Sequence, residues 1–189
     1  DDLINQEHEF IHLSFQEYLT AFALKELLLS DDQNIYKRAT QFIGEHRNEP
    51  RYLVTIKFLA GLVTNGDENS SERQNQELVT RFWEAAVCNI DGVLELGLNT
   101  KVTLLMHLLN QAQINGELDN RIPNLDKLKE LIDVVVTSDI TSFADQIIAS
   151  GYISPKIKEA LSAILDLNFK WKIENAITIV EAKGSFAMV

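Results

Sequence analysis

Cysteine is almost absent from this 189-residue chain, which has a single one, Cys88. A disulfide framework and a thiolate zinc site built within one chain are therefore excluded. Proline (3) and glycine (8) are scarce, which argues against collagen, Pro-rich linkers and a turn-dense β-sandwich. Cations are outnumbered: 17 Lys and Arg stand against 28 Asp and Glu, for a net charge of −11. Phosphate binding is driven by cation density, so neither nucleic acid nor an anionic membrane is expected as a partner. No apolar run approaches the ~20 residues of a membrane span, and no signal-peptide pattern opens the chain. What remains is a globular composition, 46% hydrophobic and 24% charged. That is enough apolar side chain for a buried core in one domain, or in two small ones sharing a core. The chain has no initiating Met and opens within patterned sequence (Leu3-Ile4, Phe10-Ile11). It reads as a fragment of a longer, cytoplasmic protein.

Helical periodicity recurs almost from end to end. Ser14-Phe15-Gln16-Glu17 has the form of a capping box, with Ser14 as N-cap and Glu17 at the third helical position. The stripe Phe15, Tyr18, Leu19, Phe22 and Leu27 follows it at helical spacing. A second helix is predicted over 35–43. Pro50 fits the first turn of a third, whose face carries Leu53, Ile56, Ala60 and Val63 and which Asn65-Gly66 ends. After the polar loop 65–76 comes the stripe Leu78, Val79, Phe82, Trp83, Ala86 and Val87. Residues 90–99 are ambiguous between a turn and a short helix. Val102, Leu105, Met106, Leu109 and Ala112 mark the next helix. Beyond the break at Asn115-Gly116, four shorter stripes begin at Leu125, Ile140, Ile157 and Phe169. Ser154-Pro155 reads as an N-cap followed by Pro at the first helical position, and Gly184 as a stop. Only the extreme N-terminus looks like strand, as a small hairpin around Asn5-Gln6-Glu7. The expected fold is all-α, a helical bundle or a HEAT-like array of helical hairpins, with at most a short N-terminal β-hairpin.

His8-Glu9-Phe10-Ile11-His12 matches the zinc-hydrolase motif H-E-x-x-H. On a helix, that spacing sets both imidazoles around one Zn²⁺ and lets the Glu activate its bound water. If the helix starts at Ser14, however, the two histidines lie on extended chain about 13 Å apart. Neither His46 nor His107 is spaced to supply a third ligand, and no metal site is expected. Cys88 reads as a small buried hydrophobe, since no His or basic residue adjoins it. Trp83 and Trp171 read as core. Lys156, Lys158, Lys170 and Lys172 make the last segment locally less acidic, but residues 154–189 hold five Lys and four Asp or Glu, which reads as a solvated face. Neither G-x-x-x-x-G-K-[ST] nor G-x-G-x-x-G occurs, so the chain has no phosphate loop of its own and is not expected to be an enzyme.

The run Phe10-Ile11-His12-Leu13-Ser14-Phe15-Gln16-Glu17-Tyr18-Leu19-Thr20-Ala21 resembles the signature that closes the winged-helix domain of NACHT-type STAND ATPases. These include the NOD-like receptors and their bacterial relatives. The family pattern is close to F-[IVS]-H-[LMK]-[ST]-[FI]-Q-E-[FY]-[FL]-A-A, from which Thr20 departs mildly. Lys57-Phe58-Leu59-Ala60-Gly61-Leu62 looks like a helix of the domain that follows. The likeness covers residues 3–29 well and 30–113 loosely. It implies that 1–29 end a winged-helix domain, that 30–113 form a helical domain and that 117–189 form HEAT-like repeats. The ATPase core would lie upstream in the same chain. By its place in the signature, His12 would sense the β-phosphate of ADP; an imidazole N–H can donate to phosphate. Read without the resemblance, His12 is a partly exposed histidine just before a helix N-cap. The nucleotide, ADP or ATP, would belong to the parent protein, and this fragment would carry no cofactor.

The resemblance therefore implies a non-catalytic regulatory module that passes nucleotide state to oligomerisation or partner binding. The apolar pair Tyr18 and Phe22 would dock on the ATPase domain and, left uncovered, drive dimerisation. The expected partners are that domain, other proteins and a second copy of the chain. A free-standing helical-repeat scaffold that binds a protein on one face is the alternative. A zinc hydrolase at His8, Glu9 and His12 is the remote one.

Overall fold

Helix begins well before the capping box. In the computed structural model, which describes residues 2–66, 70–87, 97–114 and 116–165 and side chains from Leu13 to Ile164, α1 runs unbroken over Asp2–Leu28. The predicted N-terminal hairpin is thus corrected to helix. Two strands alone are marginal, whereas Leu, Gln and Glu continue a helix at little cost. Ser14 lies half-buried inside α1 and does not cap its start.

After α1 come α2 (Gln33–His46), a 3-10 turn (Pro50–Tyr52), α3 (Leu53–Asn65), α4 (Glu72–Val87), α5 (Leu98–Gln111), β1 (Gln113–Ile114) and β2 (Glu117–Leu118). The described chain closes with α6 (Leu125–Ser138), α7 (Ile140–Ser150) and α8 (Pro155–Leu165). The fold is all-α, and the one small sheet among the described residues is the β1–β2 hairpin, with Gln113 opposite Leu118 and Ile114 opposite Glu117. It forms at the predicted break, where Gly116 takes a positive φ of 83°. Cys88, the uncertain stretch 90–96, Asn115, Lys170, Trp171, Lys172, the stripe from Phe169 and Gly184 lie outside the described residues.

Local chemistry explains most of the helix ends. The Asp32 carboxylate accepts from the Asn34 N–H at 2.8 Å and starts α2. Pro50 opens the 3-10 turn that leads into α3. Gly66 ends α3 at φ 69°, and a Cβ there would come within 2.9 Å of the Asn75 side chain. Gly151 ends α7 in the left-handed conformation at φ 72°. Ser154 caps α8 through its hydroxyl, which accepts from the Ile157 N–H at 3.1 Å.

The chain divides into two compact units. The first comprises the described residues of Asp1–Gly92 with Arg121–Pro123, and the second those of Val93–Asn120 and Asn124–Val189. Within the first, α1 packs with α2, α3 and α4; within the second, α5 packs with α6 and α7. In the first unit Leu28, Ile43, Ile56, Leu59, Val63, Leu78, Phe82 and Trp83 are fully buried. The Phe82 and Trp83 rings meet edge to face at 5.7 Å. In the second, Leu105, Met106, Leu108, Leu109, Ile132, Val136 and Ile157 are buried. Each such large apolar side chain contributes about 1.5–3 kcal/mol.

Four cations of the first unit close helix C-termini, where the last carbonyls lack intrahelical partners. Lys25 Nζ donates to Gly66 O at 3.1 Å and Arg121 Nη2 to Thr64 O at 2.6 Å, both at the end of α3. Buried Arg47 donates to Ala85 O at 2.9 Å and Ala86 O at 3.2 Å, at the end of α4. Arg81 donates to Leu28 O at 2.6 Å, at the end of α1, lies over the Tyr36 ring at 4.6 Å and pairs with Glu77. In an acidic chain these positive groups tie together helices that are not neighbours in sequence.

Candidate docking face

Helix α1 is apolar on two sides. Ala21, Leu24 and Leu28 are buried on the side packed within the unit. At 100° per residue, Phe15, Tyr18, Leu19 and Phe22 fall within an arc of about 100° beside that face, and they are 57%, 39%, 48% and 44% exposed. The large stripe read from the sequence therefore faces outward, and smaller side chains make the core contact. A helix packs most closely against α2 and α3 through small residues such as Ala21, whereas Phe and Tyr on that side would hold the axes apart.

Tyr18 and Phe22, singled out for docking, share this open face. Tyr18 sets its ring edge-on to Phe58 of α3, with centroids 5.8 Å apart and planes at 84°. Phe58 and Val54, one turn apart on α3, are also more than one-third exposed. The result is a continuous apolar patch built on two packed helices. Isolated exposed apolar residues are ordinary, but a cluster of this kind marks an interaction site. Nearby, Leu27, Ile35, Ala39 and Phe42, with Arg38 and Glu45, line a groove of about 580 Å³ between α1 and α2.

His12 lies within α1, four residues from His8. The backbone over 8–12 is helical, so the extended-chain separation of about 13 Å predicted from the sequence does not apply. The side chains of these residues fall outside the described set. Among the described residues no cluster of three His, Cys, Asp or Glu is placed to hold a metal.

The second unit contains a buried polar cluster that the sequence did not reveal. Asp133 of α6 accepts from the Ser154 hydroxyl, and Lys156 Nζ lies 3.9 Å from its other carboxylate oxygen. Tyr152 is buried beside it. Burial, and secondarily the Asp133 charge, push its phenol pKa up to about 12. These groups line a cleft of about 480 Å³ with Gln113, Glu117 and Lys129. The Ser154 hydroxyl is engaged both as donor and as acceptor. It holds the start of α8. The only sequence trace of the cluster was the Ser154-Pro155 cap, because nothing in α6 marked Asp133 as the residue facing it.

In the first unit, His46 Nδ1 and Glu49 Oε1 are 2.6 Å apart, and Arg51 lies 3.1 Å from Glu49. The His46 hydrogen bond holds the Glu49 carboxyl below its usual range. The His46 ring packs on Phe42 and Tyr52, so this group forms a corner after α2.

No family model matches the chain, and no curated protein or solved structure is significantly similar to it. No helix among the described residues is long and apolar enough to cross a membrane.

Proposed function

We propose that the chain is a non-catalytic regulatory and interaction module of a NACHT-type signalling ATPase, acting in a cytoplasmic parent protein. The observation that carries this reading is the contiguous run Phe10–Ala21, which resembles the family signature over twelve positions. The exposed apolar face of α1 supports it, because the same run supplies Phe15, Tyr18 and Leu19 to a surface that calls for a protein partner. In this reading the parent's ATPase domain binds ADP or ATP, His12 reports the β-phosphate, and the docked face transmits the change. Rigid-body signalling needs an element with its own core, and each of the two units has one.

The test is made in the parent protein carrying the phosphate loop. His12→Ala is expected to speed ADP release at least about tenfold, equivalent to one lost charge-assisted hydrogen bond of about 1.4 kcal/mol or more. Unchanged ADP retention refutes the sensing role. Stoichiometric zinc in the purified chain, lost in His8→Ala, would point instead to metal chemistry.

A further inference from the structure

We propose that the open face of α1 is a self-association surface whose occupant is a second copy of this chain, bound antiparallel about a two-fold axis between Tyr18 and Leu19. The inference rests on reading the chain as an interaction module and names the partner this face takes when it is not docked on the ATPase domain.

The spacing of the face fits this occupant. Phe15, Tyr18, Leu19 and Phe22 are the exposed apolar positions of the strip, and their numbers are symmetric about the midpoint of 18 and 19. A two-fold rotation there sets Phe15 against Phe22 of the second copy and Tyr18 against its Leu19. Both pairings then occur twice, as an isologous interface requires. A parallel arrangement would instead stack each residue on itself. The spacing i, i+3, i+4, i+7 is also the one by which two helices interlock along a straight seam.

The area is adequate. Including Val54 and Phe58, six large side chains, each between about one-third and three-fifths exposed, are uncovered. At close to 100 Å² apiece they would remove about 1,200 Å² from water over both copies, the low end for a specific interface. The expected dimer is therefore weak and reversible. Each copy carries −11, so the copies repel at long range. Raising ionic strength from about 50 to about 500 mM screens that repulsion and strengthens the dimer, the reverse of an interface made by ion pairs.

The test is sedimentation velocity on the 189-residue chain. The mass should rise from 21.4 kDa toward twice that value over about 1–200 µM, a range set by a micromolar affinity. Phe15→Lys alone and Phe22→Glu alone should each weaken association at least about tenfold. The double variant Phe15→Lys/Phe22→Glu should regain most of it, because a lysine at position 15 then faces a glutamate at position 22 of the second copy. Phe15→Lys/Phe22→Lys should stay monomeric. Far-UV circular dichroism shows that each variant keeps its helices. A wild-type chain that is monomeric throughout overturns the proposal. So do single variants that associate normally, or an opposite-charge pair no better than either single change. The ADP-retention test reads His12 and not this face, so failure here is distinguishable from failure of the module reading.

Discussion

Removing the Ser154 hydroxyl perturbs two interactions at once, and their sum can be worked from the structure. The oxygen accepts from the Ile157 N–H at 3.1 Å and caps α8, and loss of such a cap costs about 1 kcal/mol. Its proton goes to the buried carboxylate of Asp133. A hydrogen bond to a charged group contributes about 1.5–3 kcal/mol, and deleting the donor leaves the carboxylate under-satisfied. Lys156 compensates little, because its side chain is two-thirds exposed and its amine 3.9 Å away. Ser154→Ala should therefore cost about 3 kcal/mol, a large share of the roughly 5–15 kcal/mol typical of a domain. Asp133→Asn keeps the shape and removes the charge. In a double-mutant cycle the two changes should couple by about 1.5 kcal/mol, the double variant being less damaging than the sum. Urea unfolding followed by circular dichroism reads each corner as a shift of midpoint at constant slope. Additivity to within about 0.5 kcal/mol refutes the claim that the hydroxyl serves the buried carboxylate.

Other outcomes follow from the same geometry. Tyr152 has a folded pKa of about 12, above its ordinary value of 10.0. Its contribution is intact below pH 10 and is lost as pH rises from there toward 12, by about 1.4 kcal/mol per pH unit. Asp133→Asn should lower the Tyr152 pKa without restoring 10, since burial is the larger cause, and phenolate absorbance measures it. Arg47→Met should destabilise the first unit by about 3 kcal/mol, because two carbonyls at the end of α4 lose a charged donor. Thermal unfolding indistinguishable from wild type would contradict that capping role. His46→Leu should raise the Glu49 titration midpoint toward its ordinary range, because the His46 hydrogen bond is the main cause of the lowering. Carboxyl carbon NMR would show it, and an unmoved midpoint would assign the effect elsewhere.

Helix content was legible from the residues because it depends on short-range rules. Pro50, Gly66, Ser154 and Pro155 mark ends at or near the places where the chain turns. The stripes of α4 and α5 name buried residues, Phe82, Trp83, Leu105 and Met106 among them, since a one-sided helix has only one way to bury its face. At α1 that logic reaches its limit. The helix is apolar on two sides, and periodicity cannot rank one stripe over another. The larger stripe, Phe15 to Phe22, drew attention, but close approach to α2 and α3 selected the side bearing Ala21. The same helix overran the capping box at Ser14, because a capping signal stops mattering once the residues before it also adopt helix.

Composition by itself determined that this chain is acidic, poor in cysteine and without a phosphate loop, and its periodicity determined that it is helical; these are properties of residues and their near neighbours. Only the packed structure decided that Arg47, Arg81 and Arg121 close helix ends far along the chain, that Asp133 meets Ser154, and that the aromatics of α1 face outward. Each of those depends on distances between residues well separated in sequence, which spacing along one helix does not encode.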